Sequence, residues 1–406
     1  MSNRNSFLLF LTLFFMWGFI TELDGALIPY LKDLFVLSNF QASLVQFAFF
    51  IAFFVMSLPS AWILNKIGYR LGIIIGLITM GIGSILFYPA SLAASYPVFL
   101  AAIFVLATGV TLLQVAANPY VARLGEPETA AMRLNLSQGF NSVAKVLAPL
   151  FGSYFILRGL EELSTSQRAE AVQLPYLFLG SVLILLSVVF VFTKIPEVIT
   201  SVKDEKQEKI NTDSTSGRSS AWQYPQLIRG AVAIFLYVGA EVTIATFMVI
   251  YLGEKDIAGY NRETAARFLS FYWGGLMIGR LLAGTPLLAF IKPNRLLSLA
   301  AICSSILILT TVTSSGSIAM WALIGTGLFH SVMWGNIFTL SIDGLGKHTS
   351  QGSGILVASI VGGALIPPIQ GYLSDQPAIG MQTSFLVVLV CYAYILYYGV
   401  RGWKQG

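Results

Sequence analysis

Long apolar runs recur along the chain with short polar breaks between them, with cores at 7–31, 42–64, 71–92, 97–122, 134–157, 176–193, 227–252, 268–290, 296–312, 318–341, 353–373 and 382–400. A helix needs about 20 such residues to cross a bilayer core of about 30 Å. The pattern therefore predicts an all-α membrane protein with twelve transmembrane helices. Gly and Pro interrupt several runs, which membrane helices tolerate because neighbouring groups re-satisfy the freed backbone. The long polar stretch is "KIPEVITSVKDEKQEKINTDSTSGRSSAWQYPQ" at 194–226, whose charge and Ser/Thr/Gly content read as a cytoplasmic linker. It divides the chain into two six-helix bundles, 1–193 and 227–406.

Composition supports this reading. Of 406 residues, 56% are hydrophobic and 11% charged, against about 25% charged in a soluble domain. The first run is too long for the core of a cleavable signal and reads as the first span. Cys303 and Cys391 both fall inside predicted spans, and with two His in the chain no zinc spacing exists. The net charge of +5 reports topology rather than nucleic-acid binding. Lys and Arg concentrate on the side of the linker, which places both termini in the cytoplasm of a multi-pass inner-membrane protein. There is no nucleophile–base pair, metal spacing or phosphate-binding glycine loop, so neither an enzyme nor a cofactor is expected.

The halves echo one another. At an offset of 218 residues Asn118 falls on Asn336 and Pro149 on Pro367. Parallel six-helix repeats are the architecture of rocking two-bundle transporters.

Polar residues inside the spans are the candidate chemistry. With about 100° per residue, Asn135, Gln138, Asn141, Ser142 and Lys145 fall within an arc of about 120° on the fifth span. Thr111, Gln114 and Asn118 make a second stripe on the fourth. Such faces turn toward the bundle interior. Amides present donors and an acceptor on one plane, which suits sugar hydroxyls. They also bind helix to helix, and the residues alone leave both roles open. Asn118, ahead of Pro119, reads as structural. The ionisable groups at membrane depth are Glu22, Asp24, Lys145, Glu241, Arg280 and His330. Trp17, Trp273 and Trp334 are candidate faces for stacking a sugar ring.

The loop "AWILNKIGYRLG" at 61–72 resembles, in degenerate form, the cytoplasmic loop motif of the major facilitator superfamily. Lys66, Gly68 and Arg70 match, while Asn65 stands where that family has Asp. "AANPY", "RLNLSQGFNS", "APLFGS", "LIPYLKDLF", "LYVGAE", "GLMIGR" and "VGGALIPPIQGYLSD" resemble the fucose permease and glucose/galactose permease family within it. The resemblance covers nearly the whole chain outside the linker.

It implies cation-coupled uptake of a neutral hexose or deoxyhexose by alternating access. The central site would be built from spans 1, 4, 5, 7, 8, 10 and 11. The expected coupling ion is a proton. Sodium symport, facilitated uniport, a multidrug or lipid exporter and a non-transporting sugar sensor stay open as alternatives. The expected partners are a small-molecule sugar, the coupling cation and the lipid bilayer, and the expected state is a monomer.

The expected sugar contacts are Gln138, Asn141, Gln114, Glu241, Asn135, His330, Trp334 and Trp273. The expected ion-coupling residues are Asp24, Glu22, Lys145 and Glu241, with Lys145 paired to Asp24 or else Glu22. Lys66, Gly68, Arg70 and Arg280 are expected to gate or tie helix ends. Two departures from the fucose branch bear on coupling: Gly25 and Gln114 stand where that branch carries Asp and Glu. Glu241 fills the position of a Glu in the glucose/galactose branch.

Overall fold

The computed structural model describes residues 3–37, 39–152, 172–193, 219–285 and 290–404. Its helices are α1 (Asn3–Leu34), α2 (Asn39–Ile85), α3 (Phe87–Leu92), α4 (Tyr96–Arg123), α5 (Ala130–Gly152), α6 (Gln173–Phe192), α7 (Pro225–Gly253) and α8 (Arg262–Ala283). They continue as α9 (Pro293–Thr313), α10 (Gly316–His330), α11 (Met333–Ile342), α12 (Thr349–Ala358), α13 (Gly362–Ser374), α14 (Gly380–Ser384) and α15 (Leu386–Tyr397). No strand occurs among the described residues.

Nine described segments are long and apolar enough to cross a membrane. One of them, Leu44–Leu92, runs for 49 residues, enough for two passes at about 20 residues each. Its midpoint is broken at Gly68, whose φ of 79° an L side chain rarely adopts. The second and third predicted spans are thus two helices that meet at a glycine, Gly68. The helices α5 and α8 are not among the nine. Both carry polar and charged residues that dilute their apolar character, the α5 amides and Arg280 of α8 among them.

Two predicted spans are interrupted. The tenth breaks after His330 into α10 and α11. The eleventh passes through a 3₁₀ turn at Ser359–Val361 between α12 and α13. There Gly362 and Gly363 precede Pro367 and Pro368, which cannot supply helical N–H donors.

The chain divides into two compact units. The first contains Met1–Gly125, Val143–Ser219 and Lys347–Ala358; the second contains Glu126–Ser142, Ser220–Gly346 and Ser359–Gly406. This division departs from the linear boundary at 194–226 in two places, because half of α5 groups with the C-terminal helices and α12 with the N-terminal ones.

Inside the first unit, glycines let backbones approach. A Cβ on Gly109 would lie 2.4 Å from the Met80 nitrogen, and one on Gly83 would lie 2.4 Å from the Leu106 nitrogen. Small residues of this kind are how membrane helices gain packing contact without a hydrophobic driving force. The α12 segment joins the unit through polar contacts: Ser353 donates to the Val115 carbonyl at 2.9 Å, Tyr69 and Ser350 share a hydroxyl bond at 3.0 Å, and Arg123 donates to Thr349. Arg70 donates to the Phe190 and Val191 carbonyls at the end of α6, and the Lys66 ammonium sits 3.6 Å from the centre of the Trp62 ring.

In the second unit the first half of α5 packs on α8 and α11. A Cβ on Gly139 would meet Leu281, one on Gly284 would meet Leu136, and one on Gly335 would lie 2.1 Å from Asn135 Oδ1.

Candidate functional site

The chemistry of the second unit is centred on α7. Tyr237 and Glu241 are one turn apart and share a face, and the Tyr237 hydroxyl donates to the Glu241 carboxylate. Both are buried, Tyr237 at 1% exposure and Glu241 at 9%. Arg280 arrives from the last turn of α8, where a cation is favoured by the helix dipole. Its Nη2 lies 3.7 Å from Glu241 Oε2 and donates to the Tyr237 hydroxyl at 3.3 Å. Its Nη1 donates to Ser142 Oγ on α5 at 2.8 Å. Ser142 in turn donates to the Gln138 carbonyl at 3.0 Å. One guanidinium thus links α5, α7 and α8, and the carboxylate and guanidinium neutralise each other.

The same unit holds buried polar atoms without a protein partner. They are Arg280 Nε, Trp334 Nε1, Asn135 Oδ1 and both amide atoms of Asn336. The Trp334 ring lies 6.5 Å from that of Tyr237 and stacks on Phe338 at 6.1 Å. Asn135 occupies the niche left by Gly335, next in sequence to Trp334. A buried polar group with no partner costs about 1–3 kcal/mol. A polyhydroxylated neutral ligand, or water in its absence, can remove that cost; an apolar ligand cannot.

His330 is fully buried, and both of its ring nitrogens are occupied. Nδ1 bonds the Tyr272 hydroxyl at 2.8 Å and Nε2 bonds the Tyr392 hydroxyl. Tyr272 also donates to the backbone carbonyl of Glu241 at 3.4 Å. An apolar groove of about 320 Å³, lined by Ser270, Phe271, Gly274, Ile278, Trp321 and Leu328, shares none of these residues.

Residues 6–367 match the family model described as Major Facilitator Superfamily. The chain belongs to the major facilitator superfamily. It is 47% identical over 393 residues to a glucose/galactose transporter of Brucella abortus biovar 1 (strain 9-941), covering 97% of this chain and 93% of that one. It is 32% identical over 406 residues to the L-fucose-proton symporter of Escherichia coli (strain K12), covering 96% and 91%. Among solved structures it resembles the major facilitator FucP in the outward conformation, with a TM-score of 0.85, 29% identity and full coverage of both chains. The all-helical fold is accordingly the twelve-helix fold of major facilitators, a multi-pass membrane protein. The family and these relatives are transporters, not enzymes.

The structure of this major facilitator gathers Asn135, Gln138, Ser142, Glu241, Arg280, His330 and Trp334 in one unit. Gln138 and Asn141 are both buried on α5, at 7% and 3% exposure. Trp273, half-buried, lies edge-on to Tyr272 at 5.1 Å.

Two expectations change. Arg280 does not tie a helix end or loop; it is 5% exposed and joined to Glu241, because a buried guanidinium needs a counter-charge. The His330 ring presents no free nitrogen to a sugar, because two tyrosines have taken both.

The remaining candidates belong to the first unit. Gln114, Glu22 and Lys145 are each half-buried. Thr111 and Thr21 donate to the carbonyls of Ala107 and Trp17, and Trp17 packs on Phe14. The Asp24 side chain lies outside the described residues. Asn118, buried on α4, has no partner for either amide atom, as does Asn336 at the repeat-related position. Sequence reasoning missed Tyr237, Tyr272 and Tyr392. Tyr237 was findable, since it stands four residues before Glu241; the other two carry no local signal.

Proposed function

We propose that this major facilitator imports a neutral hexose or deoxyhexose across the inner membrane, glucose- or galactose-like first and fucose-like second, together with a proton. The names of the relatives support the substrate class and the ion. One observation in this chain carries the reading: a neutralised Glu241–Arg280 pair in a unit that also buries unpartnered donors and acceptors, Arg280 Nε and Trp334 Nε1 among them. Such a surface offers directional hydrogen bonds without net charge, which is the recognition chemistry of a polyol.

On this reading Gln138, Asn141 and Asn135 contact sugar hydroxyls from α5, and Trp334 contributes its indole N–H and ring face. Gln114 and Trp273 are further candidates for sugar contact, and Glu22 is a candidate for ion coupling. Glu241 is the carboxylate whose protonation state changes during transport. Lys145 pairs with Asp24, or else with Glu22, inside the first unit; strictly additive losses in a Lys145→Ala and Asp24→Asn cycle would rule that pairing out. Both termini face the cytoplasm, and the protein works as a monomer.

The test is uptake of labelled glucose, galactose and fucose into proteoliposomes, with proton and sodium gradients imposed separately. Uphill accumulation driven by the proton gradient alone is expected. Accumulation driven by sodium would make it a sodium symporter, and purely downhill uptake a uniporter. Binding without counterflow would make it a sensor.

A further inference from the structure

His330 sits beside two of the side chains that hold Glu241 in place, Tyr237 and Tyr272. Its ring meets that of Tyr237 edge-on at 5.9 Å, and Tyr237 donates to the Glu241 carboxylate. Its Nδ1 bonds Tyr272, and Tyr272 reaches the Glu241 backbone carbonyl. Three helices, α8, α10 and α15, therefore send a side chain into one chain of hydrogen bonds that ends on α7.

The direction of that chain follows from valence. A carbonyl oxygen can only accept, so the single hydroxyl proton of Tyr272 points at Glu241. Tyr272 must then accept from His330, which places the imidazole proton on Nδ1. Nε2 of a neutral ring is left as an acceptor, and the Tyr392 hydroxyl donates to it. The run reads Tyr392 O–H to Nε2, Nδ1–H to the Tyr272 oxygen, and Tyr272 O–H to the Glu241 carbonyl. Any other tautomer leaves a buried donor facing a donor or strands the carbonyl bond.

We propose that His330 is a positioning residue for sugar recognition: a neutral imidazole locked as the Nδ1–H tautomer, which fixes the backbone of Glu241 through Tyr272 and braces its side chain through Tyr237. It touches neither sugar nor proton itself. The inference rests on the reading of Glu241 as part of the transport site, but its central claim concerns a tautomer and can be checked without transport.

The experiment uses the full-length protein in detergent or lipid with ¹⁵N-histidine. The chain has two histidines, so the resonance lost in His330→Gln identifies His330. At neutral pH the Nδ1–H tautomer is expected. In Tyr272→Phe the preference should invert to Nε2–H, because the remaining hydroxyl, that of Tyr392, can then accept. An Nε2–H tautomer or an imidazolium in the wild type overturns the proposal, as does a Tyr272→Phe spectrum identical to wild type.

Glucose and galactose binding to the same preparations provides the second arm. His330→Gln, which keeps a donor and an acceptor, should bind within about twofold of wild type. His330→Leu should weaken binding by about tenfold, the scale of one lost buried hydrogen bond. Equal losses in both variants overturn the positioning role. The predicted tautomer, found in a protein that binds and moves no sugar, would instead overturn the function proposed above.

Discussion

Glu241 and Arg280 would each be costly alone in a low-dielectric setting. Desolvating an ion costs several kcal/mol, and only a partner with further hydrogen bonds offsets it. Here Tyr237 and Ser142 supply those bonds. Glu241→Gln should therefore destabilise the protein by about 3–5 kcal/mol, because it strands the guanidinium. Glu241→Gln combined with Arg280→Met should recover most of that loss in thermal unfolding while remaining unable to drive uphill uptake. If the double variant is no more stable than the single, the pair is not the source of the cost. The amides of α5 follow a different rule, since they carry no charge to strand. Gln138→Ala and Asn141→Ala should each weaken sugar binding by about 1–2 kcal/mol with little change in folding; unchanged calorimetric affinities would remove them from the site. Glu241 and the α5 stripe were legible in the sequence because a carboxylate or a row of amides at membrane depth demands a reason. The partner of Arg280 was not, because Ser142, Glu241 and Arg280 come from three separate helices, α5, α7 and α8, and no local pattern reports which cation reaches which acid.

At the scale of elements, α5 meets α8 and α11 through glycines rather than through side-chain interdigitation. The two contacts are not equivalent. A Cβ at Gly335 would strike the end of the Asn135 side chain, with Oδ1 at 2.1 Å, whereas a Cβ at Gly284 would strike Leu136 at its Cβ and Cα, at 2.6 and 2.7 Å. A side chain can rotate away; a Cα in a helix cannot. Gly335→Ala should cost about 1–3 kcal/mol, the usual range for overpacking, and Gly284→Ala more. Asn135→Ala should rescue the first and leave the second unimproved, a non-additivity read directly by a double-mutant cycle. The spans themselves were legible from apolar periodicity, and α1, α7 and α9 lie where the pattern puts them. The breaks in the tenth and eleventh were not, because Gly and Pro also occur in membrane helices that stay continuous, and what decides is the packing of neighbours.

For the whole molecule, the reciprocal exchange between units is the feature with the widest reach. Glu126–Ser142, shifted by the 218-residue offset of the internal repeat, falls on 344–360, and the segment exchanged the other way is Lys347–Ala358. Weak identities at Asn118/Asn336 and Pro149/Pro367 thus marked a correspondence that the contacts repeat. Exchange also imposes an order on biogenesis. The first unit has a gap until α12 exists: the Val115 carbonyl, the Tyr69 hydroxyl, Arg123, and the surface of Ser57 and Ala61 under Gly354 all await residues made after the linker and most of the second half. At about 5–20 residues per second, that wait is roughly ten to fifty seconds of translation. During it a nascent bundle carries an open seam that only its own distant sequence can close. A fragment ending at residue 226 should therefore be cleared rapidly by membrane proteases when made alone and persist when 227–406 is made alongside it; equal lifetimes in a pulse-chase would mean the seam closes some other way.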